Sequence, residues 1–168
     1  TELGSGNFIF VGSSCDMFAE GIPLQWIKDT LIHLYSFDNG YLFQSKNPEL
    51  MAGALLSFPI KSVFCTTIET NRWYPEIMKK SPFPEDRSRF MSYITACKYV
   101  TIEPIMDFDL KEMIYLIYAC SPKQVNIGAD TGNNKLPEPS KEKILQLISE
   151  LEKFTVVEQK TNLKRLLK

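Results

Sequence analysis

Histidine is almost missing: His33 is the only one in 168 residues. It falls inside an apolar-periodic helical stretch, away from every strand end. That argues against Ser-His and Cys-His nucleophilic catalysis within this sequence, and against His-rich metal sites with it. Cysteine is sparse. Cys15, Cys65, Cys97 and Cys120 stand far apart, so no pair has the close spacing of a zinc or redox motif. They read as free buried thiols of a reduced compartment. No apolar run approaches the ~20 residues that span a bilayer, and no basic-then-apolar leader opens the sequence. The expectation is a cytoplasmic chain that meets no membrane. An excess of either charge is lacking as well: 19 Lys and Arg face 20 Asp and Glu, for a net charge of −1. No global basic field recruits nucleic acid, although the tail KTNLKRLLK is locally basic. Finally, the glycine spacing of a dinucleotide loop is absent. GSGNF precedes the first apolar run and GSSCD follows it, and neither is a nucleotide fingerprint.

What is present is an alternation of two periods. NFIFVG, YLFQS, SVFCTTIE, KYVTIEP, QVNIGAD and FTVVEQ are short apolar runs with strand character. Between them lie helical patterns. IPLQWIKDTLIHLYSF carries Leu24, Ile27, Leu31 and Leu34 on one stripe. Asn47-Pro48-Glu49 reads as a helix start and leads through Leu50, Ala54 and Leu55 to a stop at Ser57–Pro59. DRSRFMSYITACK aligns Phe90, Ile94 and Cys97. Asp109 and Glu112 have capping-box spacing before Leu110, Ile114, Ile117 and Tyr118. Ser140 caps the pattern with Ile144, Leu147, Ile148 and Leu151. The long connection Thr70–Glu85, with Trp73 and Tyr74, reads as a rim loop or lid.

Six strand–helix units imply an α/β fold: a mostly parallel six-stranded sheet with alternating helices, covered as parallel sheets are. A closed eight-stranded barrel needs about 250 residues, so the expectation is a single domain over 1–168 forming a partial, open TIM-type barrel. In such folds the ligand lies at the C-terminal strand ends. Those ends carry Asp16; Ser45 and Lys46; Thr66, Thr67 and Glu69; Thr101 and Glu103; Asp130 and Thr131; and Glu158, Gln159 and Lys160. Hydroxyls and carboxylates at nearly every strand end predict a polar ligand. Considered singly, each is open to a structural reading: Asp and Ser cap helices, and Glu103 can pair with Lys46.

In order, FIFVGSSCDMFAEGIPLQWI, YLFQSKNPEL, VFCTTIETN, KYVTIEPIMDFD and VNIGADTG resemble the successive motifs of a radical S-adenosylmethionine family. That family is found in bacteria, archaea and phages and is distantly similar to spore photoproduct lyase. The series covers most of the chain. Ser45 stands where Thr is commoner and Asp130 where Glu is usual. The three close cysteines that hold a 4Fe–4S cluster in this class are not in the sequence. The resemblance also places Thr1 at the family's second barrel strand, and the sequence opens without Met. It therefore implies the C-terminal part of a longer enzyme, with S-adenosylmethionine and the cluster bound in the full-length protein and neither expected on this chain alone. It implies that Thr66, Thr67 and Glu69 contact the cofactor ribose and that Glu103 lines the same cavity. Gly128 would let the backbone approach its adenine or methionine portion, Asp130 would be a further cofactor-binding residue, and Asp16 and Lys46 would lie near its charged methionine end. The substrate is not readable. An open barrel edge implies self-association or pairing with the remaining half. The competing readings are an α/β module that binds a nucleotide- or sugar-like ligand without redox chemistry, and a phage-related protein of degenerate barrel fold.

Overall fold

The computed structural model describes residues 3–53, 56–132 and 134–168. The strands are β1 (Phe8–Val11), β2 (Gly40–Ser45), β3 (Ser62–Thr67), β4 (Cys97–Ile102), β5 (Gln124–Ile127) and β6 (Val156–Gln159). The helices are α1 (Leu24–Leu34), α2 (Pro48–Ala52), α3 (Pro75–Met78), α4 (Pro84–Tyr93), α5 (Leu110–Cys120) and α6 (Lys141–Leu151), with a 3-10 turn at Thr161–Arg165. All six strands are parallel and lie in chain order, β1-β2-β3-β4-β5-β6. This is an α/β fold whose sheet does not close. Among the described residues β1 pairs only with β2, and β6 only with β5.

Each crossover advances one strand in the same direction. Right-handed connections of that kind lay every helix on one face. The packing agrees: α2 lies beside α4, α4 beside α5, and α5 beside α6. Strand alternation then sorts the side chains. Tyr41, Phe43, Phe64, Val100, Ile102, Val125 and Ile127 turn toward the helices and share one core with Ile27, Leu31, Met91, Leu116, Ile117, Ile144 and Leu147. Phe18, Phe43, Phe58 and Phe64 interlock there with ring centroids 4.8–6.2 Å apart.

Among the described residues the opposite face carries no helix. Its N-terminal half is apolar, with Phe8, Phe10, Leu42 and Val63 in successive positions of the register; Phe8 and Phe10 are exposed. Its C-terminal row is polar: Thr67, Thr101, Asn126 and Glu158 stand side by side across β3–β6.

Several local expectations change. The helix aligned through Ile94 and Cys97 ends at Tyr93, and Cys97 opens β4; its apolar periodicity ran on into the next strand. Ala54 and Leu55 lie outside the described residues. The Thr70–Glu85 connection is not a bare loop but holds α3 and the first two residues of α4, each helix opened by a proline. Asp109 precedes α5 without capping it, because its carboxylate is claimed elsewhere.

Candidate functional site

The strand ends gather into two charge-balanced clusters on one rim. The first is built on Glu69, just past β3 and 2% exposed. Lys46, beyond β2, donates Nζ to its Oε1 at 2.8 Å. Arg87, from α4, donates Nη1 to its Oε2 at 2.7 Å and to the Thr67 carbonyl at 2.9 Å. Arg87 is wholly buried; its Nε donates to the Pro82 carbonyl at 2.8 Å, and its Nη2 has no partner among the described residues. Burial works to raise the Glu69 carboxyl, but the Arg87 and Lys46 charges outweigh it and hold it below the usual carboxylate range.

Asp16 buttresses this cluster from the β1–α1 loop. Its Oδ1 accepts from the Phe18 amide at 3.0 Å, and its Oδ2 from Ser45 Oγ at 2.9 Å and the Lys46 amide at 3.0 Å. The carboxylate thus fixes the backbone from which the Lys46 side chain departs. Asp16 and Lys46 line a cleft of about 640 Å³, with Glu20, Asn47, Glu49 and Lys80 around it.

The second cluster is built on Glu103, just past β4. It pairs with Lys160 and accepts from Asn162 Nδ2 at 2.7 Å. Asn162 also donates to the Ala129 carbonyl at 2.8 Å, tying the end of β5 to the same group. Gly128 makes room for this arrangement. A Cβ there would stand 2.4 Å from Glu103 Oε1 and 3.0 Å from Asn162 Oδ1. The group seated on Gly128 is the Glu103 carboxylate. Lys46 pairs with Glu69, not with Glu103 as the bland sequence reading had it.

Strand alternation separates Thr66 from Thr67. Thr66, fully buried, shares the helix-facing rows with Ser45 and Val100 and donates to the Ser45 carbonyl at 2.8 Å. Thr67 lies in the row of the open face and accepts from Gln44 Nε2 at 3.1 Å. Of the two threonines, Thr67 therefore shares a face with Thr101, while Thr66 ties β2 to β3. Asp130 closes its own loop, accepting from the Gly132 amide at 2.9 Å and from Asn134 N and Nδ2 at 2.6 and 2.7 Å. These bonds, the Gly132 amide first, hold its carboxyl below the ordinary range.

A third network braces the rim from outside. Arg72 spans Asp107 and Asp109, and Lys143 Nζ reaches Asp107 Oδ1 at 2.5 Å. The Arg72 bonds hold Asp109 down at about 2, and its carboxylate is therefore not free to cap α5.

The sequence reading missed Arg87 and Asn162. Arg87 had a signal, because it lies four residues before the buried Met91 and so on the inward stripe of its helix. Asn162 had only its position just after the last strand. Cys65 and Cys120 are buried, and burial pushes both thiols up to about 11; Cys97 is half-buried. Cys15 is exposed, against the expectation that all four are buried; its tight turn after β1 keeps it outside the core. His33 is exposed and packs edge-on against Phe37. Among the described residues no three His, Cys, Asp or Glu side chains come together as metal ligands. No helix among them is long and apolar enough to cross a membrane. No family model, curated protein or solved structure matches the chain.

Proposed function

We propose that this chain supplies the cofactor- and substrate-facing wall of a radical S-adenosylmethionine enzyme. The observation that carries the reading is the convergence of six parallel strand ends, taken in chain order, on one rim with two neutralised carboxylate clusters. The ordered motifs of the sequence fall on those same strand ends. A 4Fe–4S cluster finds no seat among the described residues, since the four cysteines are dispersed and no ligand triad forms. The work left to this chain is binding and positioning.

S-adenosylmethionine presents an α-carboxylate, an α-ammonium and a ribose. Lys46, its side chain 38% exposed beside the 640 Å³ cleft, suits the carboxylate. Lys46 can leave Glu69 without exposing a lone buried charge, because Arg87 still neutralises it. In the open-face row, Asn126 and Glu158 offer amide and carboxylate partners for ribose hydroxyls, beside the buried Thr67 and Thr101. Glu103, held by Lys160 and Asn162 with its side chain 24% exposed, is the carboxylate with room to meet a ligand.

Electron paramagnetic resonance of the anaerobically reconstituted natural gene product tests the reading. The expected result is a reduced 4Fe–4S signal that shifts when S-adenosylmethionine is added. A gene product that encodes no cysteine triplet and gives no cluster signal contradicts it.

A further inference from the structure

A cleft of about 700 Å³ opens beyond the ends of β5 and β6, away from Lys46 and Glu69. Its walls are the loop after β5 and the 3-10 turn after β6. Arg165 stitches them together: its guanidinium pairs with Glu138, Nη1 reaching Oε2 at 2.8 Å, while Nη2 donates to the Asp130 carbonyl at 2.8 Å. Both acids lining the cleft are engaged in hydrogen bonds. Glu138 is occupied by Arg165, and Asp130 by three N–H donors of its own loop.

The cations are not spent. Lys135, Lys164 and Lys168 line the cleft and are exposed, and none has an acidic partner among the described residues. With Glu138 paired to Arg165, three ammonium groups face the single Asp130 carboxylate around a preformed hollow, and positive charge is left over in a chain whose net charge is only −1. A concave surface lined by one sign of charge focuses its field and concentrates counter-ions. Thr131 and Thr161 add hydroxyl donors to the lining.

We infer that this cleft is a phosphate-binding site, taking a phosphate-bearing ligand at the end of the rim opposite Lys46. The inference stands apart from the S-adenosylmethionine reading and holds whether or not that cofactor binds. Lysine ammonium groups suit phosphate as point charges. The phosphate can belong to a free nucleotide or to a nucleic-acid backbone, and the two sources are separable by experiment.

Inorganic pyrophosphate, followed by calorimetry, and a fluorescein-labelled short oligothymidylate, followed by anisotropy, are the probes. The variant is the double substitution K135Q/K164Q. The control is K111Q/K123Q, which removes the same charge from exposed lysines at the start of α5 and just before β5. Thermal melts check that both variants fold. Saturable binding of either probe, weakened about tenfold by K135Q/K164Q and less than about twofold by the control, is the expected result. If pyrophosphate binds and the oligonucleotide does not, the source is a free phosphate compound. If the oligonucleotide binds alone, the source is a backbone, and the double variant flattens the logarithmic salt slope by about 1.4, roughly 0.7 for each lost contact. Equal weakening by both variants, or no saturable binding of either probe, overturns the inference.

Discussion

At the scale of single residues, the rim is held by charges and by one missing side chain. Gly128 lacks a Cβ where Glu103 Oε1 and Asn162 Oδ1 need the space. We predict that Gly128→Ala costs about 1–3 kcal/mol in urea unfolding, the usual price of overpacking. In a Glu103→Ala background the same change costs clearly less, because the atom it displaces is gone. Equal costs in both backgrounds would show that Gly128 serves another purpose. Glu69 makes a second case. Removing it leaves Arg87 charged, buried and unpaired, so Glu69→Ala is expected to lose about 3–5 kcal/mol at neutral pH. Joint replacement by Leu at 69 and Met at 87 loses less than either single change, since no buried charge is left over. A double-mutant cycle from urea midpoints measures this, and strict additivity contradicts it.

Legibility at this scale was uneven. Glu103 announced itself as a carboxylate ending an apolar run. Its partners did not, because Lys160 and Asn162 lie 57 and 59 residues further on. Pairing across such separations depends on strand order, which no local pattern encodes. Lys46 and Glu69 were both visible, but which carboxylate the lysine takes was decided by the neighbouring positions of β2 and β3. Arg87 was hidden by its type: an arginine in a polar helix start reads as solvated unless its place on the inward stripe is weighed.

At the scale of elements, the sheet followed directly from the sequence, since six apolar runs separated by helical periodicity admit little else. Boundaries followed less well. The α4 pattern continued smoothly into β4, and only the backbone hydrogen bonds of the ladder fix where the helix gives way. The β3–α4 unit contributes to the acid sensitivity of the fold, beside the lowered carboxyls of Asp107, Asp109 and Asp130. The carboxyl of Glu69 is depressed by its two cations, so its contribution to stability is fully present above the ordinary carboxylate pKa of about 4.3. It is lost as pH falls through the lower, folded value. Wild-type protein should therefore lose stability progressively as pH falls below the ordinary carboxylate range, and Glu69→Gln should show a shallower acid limb. Identical acid limbs would remove Glu69 from the account.

At the scale of the whole molecule, the sheet is one-sided and open at both ends. Helices cover one face, while Phe8 and Phe10 stand exposed on the other, beside the unpaired edge of β1. Unpaired edges and bare apolar faces drive association. We predict that the chain alone sediments as a species heavier than its 19.3 kDa monomer, and that Phe8→Lys with Phe10→Lys shifts it toward monomer. A monodisperse monomer at all concentrations contradicts the prediction. We propose that the strand-end rim binds S-adenosylmethionine, and calorimetric titration of that ligand into the natural gene product is the decisive measurement. The account predicts saturable binding that Lys46→Ala weakens about tenfold, with the melting temperature nearly unchanged because Arg87 still neutralises Glu69. Binding that is absent, or indifferent to Lys46, would contradict it.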